Sequence, residues 1–225
     1  MTRRIFVFEM LLVLAALAAT AIAWPHLPAS VPMHWNIHFQ PDRYGSRGTL
    51  FLIGPGLMVS ILVLTCLLPW LSPKPFGVDS FRAAYRQIML ILFGMMTYLY
   101  AVLLWAAFGQ SLDAGRAIGG GVCLFVALIG NQMGKLRRNF YIGVRTPWTL
   151  ASERVWNATH RFAARITVAA GLLGLLLSIA GLPILALFCV IAAALASILY
   201  SLVYYKQLES RGELDPQPVQ GSPAK

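Results

Sequence analysis

The chain has 225 residues, of which 58% are hydrophobic and only 12% charged. Soluble domains carry about a quarter charged residues, so this composition excludes one and points to a polytopic membrane protein. A net charge of +10 does not signal nucleic acid, because the basic residues are scattered between apolar runs, as the Lys and Arg of cytoplasmic loops are.

Six apolar segments are long enough, or nearly so, to cross roughly 30 Å of hydrocarbon: Ile5–Ala23, Leu50–Leu71, Ile88–Phe108, the shorter Ala117–Met133, Phe162–Ala180 and Leu182–Tyr205. The expected fold is all-α, a six-helix membrane bundle. With the N-terminus inside, fifteen of the 18 Lys and Arg residues fall on the cytoplasmic side. Only Arg43, Arg47 and Arg116 fall outside, which places both termini in the cytoplasm. Arg3-Arg4, the first apolar run and Ala21-Ile22-Ala23 have the outline of a cleaved signal. The run is longer than a usual signal core and carries Glu9, so it is read as an uncleaved helix. Glu9 sits near the helix end, where it is expected to reach the headgroups or to pair with Arg3 or Arg4.

The segments 24–49 and 134–162 are the two long polar interruptions. In the first, Pro28, Pro32 and Pro41 limit any helix to a turn or two. His34, His38 and Asp42 recur at four-residue spacing, which on a helix would place two imidazoles and a carboxylate on one face as a metal site. Pro41 opposes a helix through Asp42, and the expectation is no metal but an interfacial cap anchored by Trp35, Phe39 and Tyr44. Gly54-Pro55-Gly56 breaks the second helix and needs neighbouring helices to satisfy its backbone. Gly130 with Gly134, and Ala170 with Gly174 and Ser178, are small-residue lines suited to close helix packing. Cys66, Cys123 and Cys189 are isolated in apolar runs and read as buried free thiols. The stretch 206–225, rich in proline towards its end, is expected to be a disordered cytoplasmic tail.

The second interruption contains Asn139-Phe-Tyr-Ile-Gly-Val-Arg-Thr-Pro-Trp-Thr-Leu. Gly143 permits a turn, and Pro147 biases Thr146 to extended geometry. Thr149 or Ser152 can cap a short helix, although neither completes the usual capping box. From Glu153 a helix would put Trp156 and His160 on one face, as an amphipathic helix at the membrane surface before the fifth span. His160 is expected to be a buried, hydrogen-bonded residue rather than a catalytic one.

These residues, with Glu153-x-x-Trp156-x-x-x-His160, resemble the signature of the SdpI family of bacterial membrane proteins. Leu27-Pro28, Val31-Pro32-x-His34-x-Asn36 and Pro41-Asp42-Arg43-Tyr44-Gly45 resemble the extracytoplasmic domain of uncharacterised function that often precedes it. One departure is Phe39, where family members usually have a glycine before the Pro-Asp pair. The resemblance implies a multi-pass protein of the bacterial cytoplasmic membrane, with no enzymatic activity and no cofactor. Its implied role is immunity to, or sensing of, a secreted antimicrobial peptide outside, with sequestration of a cytoplasmic DNA-binding repressor inside. The implied inner residues are Asn139, Gly143, Arg145, Thr146, Pro147, Trp148, Trp156 and His160; the outer ones are Pro32, His34, Asn36, Pro41 and Asp42. The chain then divides into 1–71, two spans with the outer loop, 72–205, a four-helix region, and the tail. A small-solute transporter or channel would want polar groups within the spans, and a metal-dependent membrane enzyme would need His34, His38 and Asp42 to converge.

Overall fold

The computed structural model describes residues 3–109 and 113–215. Among them six helices are long and apolar enough to cross a membrane, and the protein is a predominantly α-helical, polytopic membrane protein. The first helix, α1 (Arg3–Ala23), stops where Pro25 follows Trp24, because proline disfavours helical geometry in the residue before it. The chain then pairs with itself. Strands β1 (Ser30–Trp35) and β2 (Pro41–Ser46) form an antiparallel hairpin with Val31 opposite Gly45 and Pro32 opposite Tyr44. The outer segment, which its prolines barred from forming more than a turn or two of helix, is therefore a hairpin set on an otherwise helical bundle. In a two-stranded ribbon both strands are edges, so prolines 32 and 41 are tolerated. Arg47 fastens the hairpin base to the end of α1, donating to the Trp24 and Leu27 carbonyls at 3.2 and 3.1 Å and lying over the Trp24 ring.

Helix α2 (Thr49–Leu71) opens with a wide π-helical turn, Leu52–Gly56, that accommodates Pro55. Gly54 and Pro55 are buried there, as their need for helical neighbours required. A Cβ on Gly54 would lie 2.2 Å from the Tyr100 ring. Only glycine lets α3 (Arg82–Ala107) approach this closely, and the Tyr100 hydroxyl bonds to Thr20 of α1. Helices α1 to α3 and the hairpin share one apolar core, including Val13, Val31, Leu50, Met58, Phe93 and Leu103.

Helix α4 (Gly115–Met133), the short α5 (Pro147–Ala151), α6 (Glu153–Ile179) and α7 (Pro183–Ser210) complete the bundle. A Cβ on Gly130 of α4 would lie 3.0 Å from the Val168 amide nitrogen of α6, and one on Gly174 2.7 Å from Cys123 Sγ, so these small residues serve close helix packing. Gly171, outside those small-residue lines, meets the α4 backbone more closely still, its Cβ 2.6 Å from the Ala127 amide nitrogen. A second core joins the start of α3 (Ala84, Tyr85, Ile88, Met89) to Leu136 and Trp156. Helix α3 thus contributes to both cores.

Four expectations change. Helix α6 runs unbroken from Glu153, so Trp156 and His160 lie on the helix of the fifth span itself rather than on a separate surface helix; charged residues can continue a helix beyond the bilayer because its hydrogen bonds are internal. Glu9 is 2% exposed and, among the described residues, makes no ion pair, so it is packed inside the bundle rather than reaching the headgroups. Of the three free cysteines only Cys123 is buried, and Cys66 is exposed on the bundle surface. The tail begins as helix, since α7 continues to Ser210, and Asp215 is bonded to the body of the protein. Residues 216–225, the rest of the expected disordered tail, lie outside the described residues.

Candidate functional site

At the basic end of the bundle, residues 134–162 form a compact platform rather than a loose loop. Asn139 is fully buried and uses its whole amide. Its Nδ2 donates to the Arg137 and Ile142 carbonyls at 2.8 and 3.1 Å, and Oδ1 accepts from the Tyr141 and Ile142 amides at 2.8 Å each. An asparagine can satisfy both donors and acceptors of such a turn at once. The chain then passes Gly143, at φ +117°, and the Val144 N–H donates to His160 Nε2 at 3.0 Å.

His160 is 1% exposed and stacks on Trp156 with ring centroids 4.0 Å apart. Its Nδ1 lies 2.8 Å from the Trp156 carbonyl. A carbonyl can only accept and an amide can only donate, so the imidazole is neutral, with its hydrogen on Nδ1. The Trp156 indole donates to the Leu136 carbonyl at 2.9 Å. These two rings hold the segment between α4 and α5 from below.

Thr146 caps α5 through a reciprocal capping box with Thr149. The Thr149 amide donates to Thr146 Oγ1 at 3.3 Å, and the Thr146 amide donates to Thr149 Oγ1 at 2.9 Å. The sequence template sought Glu or Gln at the third helical position; a threonine hydroxyl does the same work here. Thr149, absent from the expected site residues, is fully buried and also donates to the Val144 carbonyl at 2.8 Å. Trp148 donates to Ser201 of α7 at 2.5 Å, while Arg145 and Pro147 are exposed.

Ser152 caps α6 by accepting from the Val155 amide at 3.2 Å. Its hydroxyl donates to Asp215 at 2.7 Å, and the Arg154 amide reaches the same carboxylate oxygen at 3.2 Å. Arg154 also pairs with Glu213 at 3.3 Å. The Ser152 hydrogen bond, helped by the backbone amides of Arg154 and Glu153, holds the Asp215 carboxyl below the usual carboxylate range. A carboxylate at a helix N-terminus is favoured by the exposed amides and the dipole. No local sequence signal marked this contact between residues 63 positions apart.

At the opposite end, Asn36 organises the hairpin turn. Its Oδ1 accepts from the His38 and Gln40 amides at 2.8 and 3.1 Å. His34 Nδ1 and Asp42 Oδ1 are 2.6 Å apart across the strands and solvent-exposed. His38 does not join them. Among the described residues no three His, Cys, Asp or Glu side chains converge on a metal-binding arrangement, so the helical spacing that suggested one is not realised. Phe39 has φ +57°, the region that favours glycine. Its ring lies against Gly115 and Gly119, beside Pro183. Under the hairpin is a cavity of about 700 Å³ with Leu27, Trp35, Phe39, Tyr44 and Ala107 among its walls. Pro32 and Pro41 border it as well, whereas His34, Asn36 and Asp42 do not.

Comparison with known proteins agrees with this arrangement. Residues 135–201 match the SdpI/YfhL protein family, and residues 11–59 match a domain of unknown function (DUF1648). The chain is 26% identical over 205 residues to the immunity protein SdpI of Bacillus subtilis (strain 168), an alignment spanning 90% of this chain and 96% of that protein. No solved structure matches the chain. A multi-pass bacterial membrane protein with the platform sequence on α4 to α7 and the hairpin before it, the chain is similar to the SdpI/YfhL protein family over residues 135–201 and to a curated member along most of its length.

Proposed function

We propose that this protein gives its cell immunity to a secreted antimicrobial peptide, or senses one, and sequesters a cytoplasmic DNA-binding repressor at the membrane. The observation that carries this reading is the collinear similarity to 96% of a protein named for immunity. The architecture supports it. A hairpin over an aromatic cavity stands at one end, and a basic platform stands at the other. Helix α3 packs into the cores of both and so spans the distance between them.

In this reading residues 1–71 are the sensing unit, facing outward as the distribution of Lys and Arg implies, and 72–205 are the signalling unit. The peptide meets the hairpin residues around the cavity, Pro32 and Pro41 among them, with His34, Asn36 and Asp42 on the ribbon above. On the platform, Asn139, Gly143, Thr146, Trp156 and His160 set the shape, Trp148 ties it to α7, and exposed Arg145 and Pro147 meet the partner. The protein acts by binding, without a cofactor and without catalysis.

The test is survival. A sensitive host expressing the wild type is challenged with secreted killing peptide beside Arg145→Ala at matched membrane levels. Protection by the wild type and its loss in the variant supports the assignment. Failure of the wild type to protect against any such peptide removes the immunity reading, and full protection by the variant removes Arg145 from the output surface.

A further inference from the structure

We infer that a slot between α4 and α7, closed at its basic end by Arg145, is a binding site for an anionic phospholipid of the adjoining leaflet. The cavity measures about 530 Å³. Its long walls are apolar: Phe125, Ile129 and Met133 of α4 face Val190 and Ile198 of α7. Each wall extends through residues that rise roughly 12 Å along their helices, so the slot leads from the basic end of the bundle towards its middle. Ala194 and Ile198 at its edge are exposed. The slot therefore opens on the outside of the bundle, where a bilayer presents acyl chains.

The charge at the mouth selects the occupant. Arg145 is the one ionisable residue on the walls, and its guanidinium donates to the Phe140 carbonyl. Among the described residues it has no carboxylate partner. A cation at the interface above an apolar slot fits a molecule with a phosphate at one end and a hydrocarbon chain at the other. Basic pockets between spans hold lipid headgroups in this way, and a planar guanidinium suits phosphate oxygens. Because Gly143, Val144 and Thr146 line the same cavity, the bound lipid would brace the platform against the membrane. The inference shares Arg145 with the immunity reading but does not depend on it, and its test reads lipid retention rather than protection.

The full-length protein is purified from nanodiscs containing equal phosphatidylglycerol and phosphatidylcholine, and retained lipid is counted by native mass spectrometry. The wild type is expected to keep phosphatidylglycerol over phosphatidylcholine by about fivefold. Arg145→Gln, an exposed change that leaves the core intact, brings the two lipids to parity, and Arg137→Gln, outside the slot, does not. Ala194→Trp fills the slot edge and loses both lipids. Equal retention of the two lipids by the wild type overturns the inference. So does a preference that survives in Arg145→Gln, or a slot filled by a second copy of the chain in a lipid-free dimer.

Discussion

The Gly143 backbone lies so close to the His160 ring that a Cβ there would sit 2.2 Å from Nε2. With φ at +117°, the position resists any side chain twice over, through backbone strain and through a ring that is itself stacked on Trp156. Gly143→Ala is expected to destabilise the protein by about 2–4 kcal/mol. Thermal unfolding in nanodiscs checks this, and an unchanged midpoint would show that the platform does not rest on the histidine.

His160 acts as an acceptor for the Val144 amide, so its replacement should follow hydrogen-bonding capacity rather than size. His160→Leu leaves that partly buried N–H unpaired and costs about 1 kcal/mol. His160→Gln keeps an acceptor and should lose less. The same midpoint reversed between the two variants would sink the assigned role.

Phe39 offers the opposite trade. Glycine would relieve a left-handed backbone worth about 1–2 kcal/mol, yet it removes the ring from its place against Gly115 and Gly119. Alanine loses the ring and keeps the strain. Hydrogen exchange of the hairpin amides should therefore rise more in Phe39→Ala than in Phe39→Gly, against the usual rule that glycine loosens a turn more.

The Asp215 contact carries a pH dependence. Its carboxyl titrates below the usual range because Ser152 bonds the ionised form. A depressed value means that docking is fully present above the ordinary carboxylate pKa of about 4 and is lost as pH falls through the lower folded value. Exchange at the Arg154 amide should be slow from neutral pH down to that point and faster below it. Asp215→Asn should raise it at neutral pH. Ser152→Ala should do the same while also removing the α6 cap, worth about 1 kcal/mol.

Glu9 is buried with Oε2 unpartnered among the described residues. A carboxylate in such a site costs more than its amide. Glu9→Gln is expected to hold or raise the thermal midpoint. A drop would mean that the carboxylate itself makes a stabilising contact.

Much of the platform was legible in the sequence because its signals are local. Gly143 before a turn, Pro147 after an extended Thr146, and Trp156 with His160 one helical turn apart each describe a stretch of a few residues. The hairpin was not legible. Its prolines excluded a helix, but pairing of β1 with β2 depends on cross-strand register, and the alternation that marks a half-buried strand is absent from Pro41–Ser46, which is mostly exposed. Burial of a hydrogen-bonded His160 was legible in the sequence, whereas the burial of Asn139 and Trp156 and the exposure of Arg145 were not.

By itself the sequence determined the class, the six spans, the asymmetry of Lys and Arg between the two ends and the family resemblance, since hydropathy and motif spacing are properties of contiguous residues. Only the tertiary structure decided that Glu9 turns inward, that Tyr100 lies on the Gly54 backbone, that Asp215 returns to the start of α6 and that α4 and α7 enclose a slot beneath Arg145. Each of these joins residues distant in the chain, and their proximity follows from how the helices pack rather than from any preference the residues carry alone.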